Sequence, residues 1–192
     1  MTTTDLIQIA TRITQANMEL VNSYVKKMSE AQLNWKPTTS SWSIKEVLAH
    51  LNEYSSYYHP VFVKKIENTR FTSTKEAFLS SPLGRSAWKS MKLGNAKNIK
   101  RKFKAPKDTN PTISPSLIEG EQVDKFIGQQ KDLLNIIEMS TKVNIRRVKI
   151  PISISKVVRL RLGDALLFVV YHNERHLQQI LNLKNSPNFP AQ

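Results

Sequence analysis

Apolar residues recur at three- and four-residue spacing in four stretches of the chain, which puts them on one face of an α-helix. In residues 4–27 the stripe is Leu6, Ile9, Ile13, Ala16, Leu20 and Tyr24. Thr4 or a neighbouring threonine supplies a cap there, and Asp5 favours the positive helix start. In residues 44–66 the stripe is Val47, His50, Leu51, Tyr54, Tyr58 and Val61. Ser43-Ile-Lys-Glu46 opens this helix with a capping-box pattern, and Pro60 is expected to kink or shorten it. A third helix is predicted over 119–140, with Val123, Phe126, Ile127, Leu133, Leu134 and Ile137 inward. A fourth is predicted over 163–184, where Ala165, Leu166, Val169, His172, His176 and Ile180 share one side.

The intervening segments lack this period. Residues 28–42 are a polar connection, with Trp35 and Trp42 expected to plug one end of a bundle. Residues 67–118 are irregular by pattern, with short helices expected around 74–79 and 85–92. A connection this long within one compact domain tends to be functional or mobile. Residues 141–162 alternate in places and contain Pro151, which predicts an extended, ribbon-like crossover. Four long helices, with the long connection between the second and third, predict an all-α four-helix bundle. At 192 residues the chain is expected to form a single domain over 1–192.

Composition narrows the chemistry. The chain has no cysteine, which excludes disulfides, thiolate zinc sites, iron–sulfur clusters and cysteine nucleophiles. Any metal must be held by His, Asp or Glu. The first residues carry no basic run followed by an apolar one, and no stretch reaches the length of a membrane span. The expectation is a cytoplasmic protein without a membrane segment.

The net charge is +14, and it is concentrated. Residues 85–107 hold nine basic side chains and no acid, and residues 142–161 hold seven more and no acid. These 16 of the 29 basic residues leave 13 against all 15 acids elsewhere, so the rest of the chain is close to neutral. The densest run includes Lys100, Arg101, Lys102 and Lys104. Such runs attract anions, and the usual alternative is a solvated loop that aids solubility. No nucleic-acid-binding motif accompanies them, so nucleic acid is not the expected partner. The basic runs are read instead as bordering a pocket and drawing in a small anionic substrate.

Two of the four histidines, His172 and His176, lie four apart in Tyr171-His172-Asn-Glu-Arg-His176. That spacing places both imidazoles on one helical face, one turn apart. His50 lies on the inner stripe of the second predicted helix, and a bundle can bring it opposite the pair. Three neutral imidazoles plus water form a catalytic type of coordination set. Hydrogen-bonded core histidines would give the same pattern, so spacing alone leaves both readings open. The motif lacks the glutamate that directly follows the first histidine in zincins, and Glu174 lies about 200° around the helix from His172. His59 precedes Pro60 and is read as a surface or helix-end residue.

Trp42-Ser-Ile-Lys-Glu-Val-Leu-Ala-His50-Leu, followed by Leu162-Gly-Asp-Ala-Leu and His172-Asn-Glu-Arg-His176-Leu-Gln-Gln179, resembles the DinB-like superfamily of YfiT-like metal-dependent hydrolases. The resemblance extends over nearly the whole chain, including Leu33-Asn-Trp35-Lys-Pro37. It implies a four-helix bundle, a divalent metal on His50, His172 and His176, and frequent homodimers. Some members resemble transferases that use a low-molecular-weight thiol. Zinc or nickel suits imidazole ligands best, with iron or manganese as alternatives. Glu46 and Glu53, each about one turn from His50, are candidates to orient its ring, against a capping role for the first and solvation for the second. Tyr54 and Gln179 are candidate pocket residues.

Two functions follow. One is a metal-dependent enzyme, hydrolase or thiol transferase. The other is a non-catalytic, stress-associated binding bundle whose basic segments engage an anionic partner.

Overall fold

The computed structural model describes residues 1–94 and 105–191. The chain is mostly helical rather than all-α. The helices are α1 (Thr3–Ser23), α2 (Glu30–Asn34), α3 (Ile44–Glu67), α4 (Pro82–Met91), α5 (Gln122–Ser140) and α6 (Leu162–Lys184). A hairpin of β1 (Lys149–Ile152) and β2 (Ser155–Arg161) precedes α6. No helix among the described residues is long and apolar enough to cross a membrane.

Local chemistry explains where the helices begin. Capping boxes start α1 at Thr2 and Asp5, α2 at Ser29 and Gln32, and α3 at Ser43 and Glu46. In each, a side-chain oxygen satisfies an amide that the helix itself leaves open. Ser81 caps α4 by accepting from the Gly84 amide, and Pro82 occupies the first turn, where its missing N–H costs nothing.

Helix α1 packs on α5 and α6, and α3 packs on the same two helices. The four long helices therefore contact one another in a closed cycle. Helix α4 lies against α6. This approach needs Gly84, because a Cβ there would sit 2.1 Å from Oδ2 of the fully buried Asp164. The same Asp164 oxygen accepts from the Ser81 amide and hydroxyl at 3.0 and 3.1 Å, tying the start of α4 to α6.

The core is split into two clusters. One gathers Tyr58, Phe62, Phe78, Leu133, Ile137, Leu162 and Leu166, and the other Val21, Ile44, Val47, Leu51, Phe126, Leu177 and Ile180. Both α3 and α6 contribute to both clusters. Between them lie buried polar groups: Asn17, His50, Asn52, Gln130, His172 and Asn173. The candidate chemistry sits at this break.

Several expectations are corrected. The buried face of α1 is Leu6, Ala10, Ile13, Thr14, Asn17 and Val21; Ala16 and Tyr24 are exposed, because contact with two helices rotates the inner face. Helix α3 runs unbroken through Pro60, which sits on the exposed side where solvent can serve the carbonyl that loses its donor. Residues 74–79 are not helical. They run beside the N-terminus, where Thr3 donates to the Glu76 carbonyl and Phe78 to the Met1 carbonyl, at 2.6 and 3.1 Å. His59 is buried at 7% exposure, not at a surface. The expected ribbon over 141–162 is present as the β1–β2 hairpin, antiparallel with a register shift at Pro151 and Ile152.

Candidate metal centre

His50 projects from α3 and His172 and His176 from consecutive turns of α6. One ring nitrogen from each lies within 4.8 Å of the other two. Nε2 of His50 and Nε2 of His172 are 3.3 Å apart. The three rings contact one another, with centroids 4.6–5.2 Å apart.

Hydrogen bonding fixes two of the tautomers. His50 Nδ1–H donates to the Thr109 carbonyl at 2.6 Å. A carbonyl can only accept, so the hydrogen is on Nδ1 and Nε2 presents a lone pair. His176 Nδ1–H donates to Gln179 Oε1 at 3.1 Å, which leaves its Nε2 as a lone pair too. His172 Nδ1 is buried without a partner among the described residues. Either its proton is on Nε2, leaving Nδ1 an orphan acceptor, or it is on Nδ1 and two lone pairs face each other across 3.3 Å. A cation between the rings would take the Nε2 lone pairs of both and set the His172 proton on Nδ1.

The spacing suits such an ion. Ligands about 2.05 Å from a tetrahedral zinc lie about 3.3 Å from one another, which matches the His50–His172 pair. The remaining pairs involve His176, the least enclosed of the three. Burial also keeps the rings neutral. It pushes His50 down to about 4, with the Thr109 carbonyl opposing, and His176 down to about 3, with the nearby His50 adding to the effect. His172 is held well below the usual range by burial and then by its two histidine neighbours. Neutral imidazole is the form that ligates. The three residues thus fit a metal ion, and the group could hold one.

The centre opens into a cavity of about 810 Å³. Trp42, Tyr54, Met91, Ile113, Arg175 and Gln179 are among its walls. Tyr54 stacks on His172 at 4.3 Å. Trp42 lies 5.0 Å from His50 and 6.2 Å from His176, and its indole N–H donates to Thr112 at 3.0 Å. It packs against the second core cluster, as Trp35 does, and also lies beside the histidines.

The other sequence candidates divide. Tyr54 and Gln179 join the site. Glu46 does not: one carboxylate oxygen accepts from the Ser43 amide at 2.7 Å and the other from Lys36 at 2.6 Å. Glu53 accepts from Lys125 at 3.3 Å, on the side of α3 that faces α5. Lys100, Arg101, Lys102 and Lys104 lie outside the described residues. Sequence reasoning missed the Thr109 carbonyl, 59 positions from the ring it orients, because a backbone acceptor carries no residue signature. It also missed Arg175, which lies between the two α6 histidines in sequence and is buried at 7% exposure.

A model of the DinB superfamily matches residues 13–180. The chain belongs to the DinB superfamily. It is 28% identical over 170 residues to YuaE, an uncharacterized protein of Bacillus subtilis (strain 168), covering 88% of this chain and 93% of YuaE. No solved structure matched the chain. The DinB-superfamily match spans all three histidines, so the cluster lies inside the region that carries the family likeness.

Proposed function

We propose that the chain is a single DinB-like four-helix-bundle domain in which His50, His172 and His176 hold one divalent ion, zinc or nickel. The centre would serve a metal-dependent enzyme, a hydrolase or a thiol-dependent transferase. The observation that carries this reading is the convergence of three imidazole rings, with the Nε2 atoms of His50 and His172 3.3 Å apart, on the wall of an 810 Å³ cavity. A bound ion would lower the pKa of a water or thiol and present the anion as a nucleophile.

The chain's own residues do the rest. The Thr109 carbonyl and Gln179 aim the rings of His50 and His176. Trp42 and Tyr54 wall the histidines with aromatic surface, which limits water. Family analogy supports a homodimer, and the absence of a membrane-length apolar run supports a cytoplasmic protein.

A second reading is a non-catalytic bundle that binds an anionic partner. It is favoured by the absence of any carboxylate among the described residues of the cavity wall, which leaves no acidic general base there. Metal content separates the two. Protein purified without a His tag is expected to carry about one metal ion per chain by mass spectrometry, and His172→Ala to carry none while remaining helical. Stoichiometric metal retained in His172→Ala would overturn the ligand assignment. Metal-free wild type that also refuses added zinc or nickel would move the weight to the second reading.

A further inference from the structure

The cavity wall has an uneven chemistry. Among its described residues Arg175 is the one fixed charge, and no Asp or Glu lines it. The remaining polar wall is neutral, with Ser41, Asn110, Gln179 and Asn182. The apolar wall is substantial, with Trp42, Tyr54, Met91, Ile113 and Leu183. A wall whose described residues carry one cation, no anion and a large apolar surface is complementary to a small organic anion with an apolar body.

Arg175 stands immediately before His176 on α6, so its backbone is fixed by the same helix turn that fixes the centre. Its side chain is buried at 7% exposure yet lines the cavity. A guanidinium has five N–H donors in a planar fork, so it can keep protein contacts on one edge and serve a ligand with another. That fork matches a carboxylate or phosphate with two parallel hydrogen bonds, and such charge-assisted bonds are about twice as strong as neutral ones.

Resting on the reading of this cavity as the substrate site, we infer that Arg175 is the specificity-determining residue that anchors an oxyanion group of the substrate, while the aromatic and aliphatic wall takes its apolar body. The substrate class is therefore a small apolar molecule bearing a carboxylate or phosphate.

The test uses matched probes of one chain length: hexanoate, hexyl phosphate and neutral hexanamide. A bound metal would attract any anion by itself, so calorimetric titrations are made at pH 8 on chelator-treated protein and again on zinc-loaded protein. Metal-free wild type is expected to bind at least one of the two anions about tenfold or more tightly than the amide. Arg175→Gln is expected to lose that preference, and Arg175→Lys to keep part of it. Which anion binds better distinguishes a carboxylate from a phosphate substrate. Equal binding of anions and amide, an unchanged preference in Arg175→Gln, or no binding of either anion would overturn the inference. Far-UV circular dichroism and zinc stoichiometry are read on the same samples. Arg175→Gln is expected to stay helical and keep its zinc. An anion preference in a protein that takes no zinc would sink the metal reading while leaving Arg175 as the anchor.

Discussion

Acid stability should depend on His59, a residue outside the cavity. Its ring is buried on α3, its Nε2 has no hydrogen-bond partner among the described residues, and burial pushes its pKa from 6.5 down to about 4 despite the opposing influence of Asp132. The unfolded chain therefore binds a proton near pH 6.5 that the folded chain refuses until about pH 4. The stability that depends on a neutral His59 is fully present above pH 6.5 and is lost as pH falls towards 4. By pH 4.5 the linkage amounts to about 2.5 kcal/mol. For a chain of this size that is a fall of roughly 5–10 °C in Tm. The measurement is urea unfolding by circular dichroism at pH 7.5 and 4.5, on wild type and His59→Gln, both stripped of metal. Metal removal keeps zinc release from adding its own pH dependence. The variant should lose about 2.5 kcal/mol less than wild type between the two values. Asp5, whose pKa is lowered by its bonds to Thr2, acts below its ordinary 3.8 and leaves this window undisturbed. Parallel losses in the two proteins would refute a buried, neutral His59.

Two further outcomes test the frame around the site. Gln179→Ala removes the acceptor that aims His176, and zinc affinity, read by competition with a chromogenic chelator, should fall about 10–100-fold; unchanged affinity would mean that the Gln179 bond does not position a ligand. Gly84→Ala drives a methyl group into Asp164 at the contact of α4 with α6 and should destabilise by about 1–3 kcal/mol in chemical unfolding; a neutral result would refute the close approach of the two helices.

Much of this protein is written locally. The periodic apolar stripes marked the four long helices to within a few residues, because a 3.6-residue repeat is a short-range property of the chain. The Ser43 and Glu46 capping box was visible for the same reason, as was the pairing of His172 with His176 one turn apart. The position of His50 on an inner stripe, joined to the motif resemblance, was enough to name all three histidines.

What escaped the sequence depends on neighbours far along the chain. Which face of α1 is buried was decided by its contact with both α5 and α6, which drew Thr14 and Asn17 inside and left Ala16 and Tyr24 out. His59 looked like a helix-end residue because Pro60 follows it, yet the helix continues and packing encloses the ring. Residues 74–79 formed an extended partner to the N-terminus, a pairing that no local window contains. The tautomer of His50 was set by a carbonyl 59 positions away, and the charge of the cavity by Arg175, whose role depends on which walls surround it. Sequence periodicity determined the helices and the faces that carry the three histidines. Only the tertiary structure decided which ring nitrogens converge and what lines the space above them, because those follow from long-range packing rather than from the repeat of any one segment.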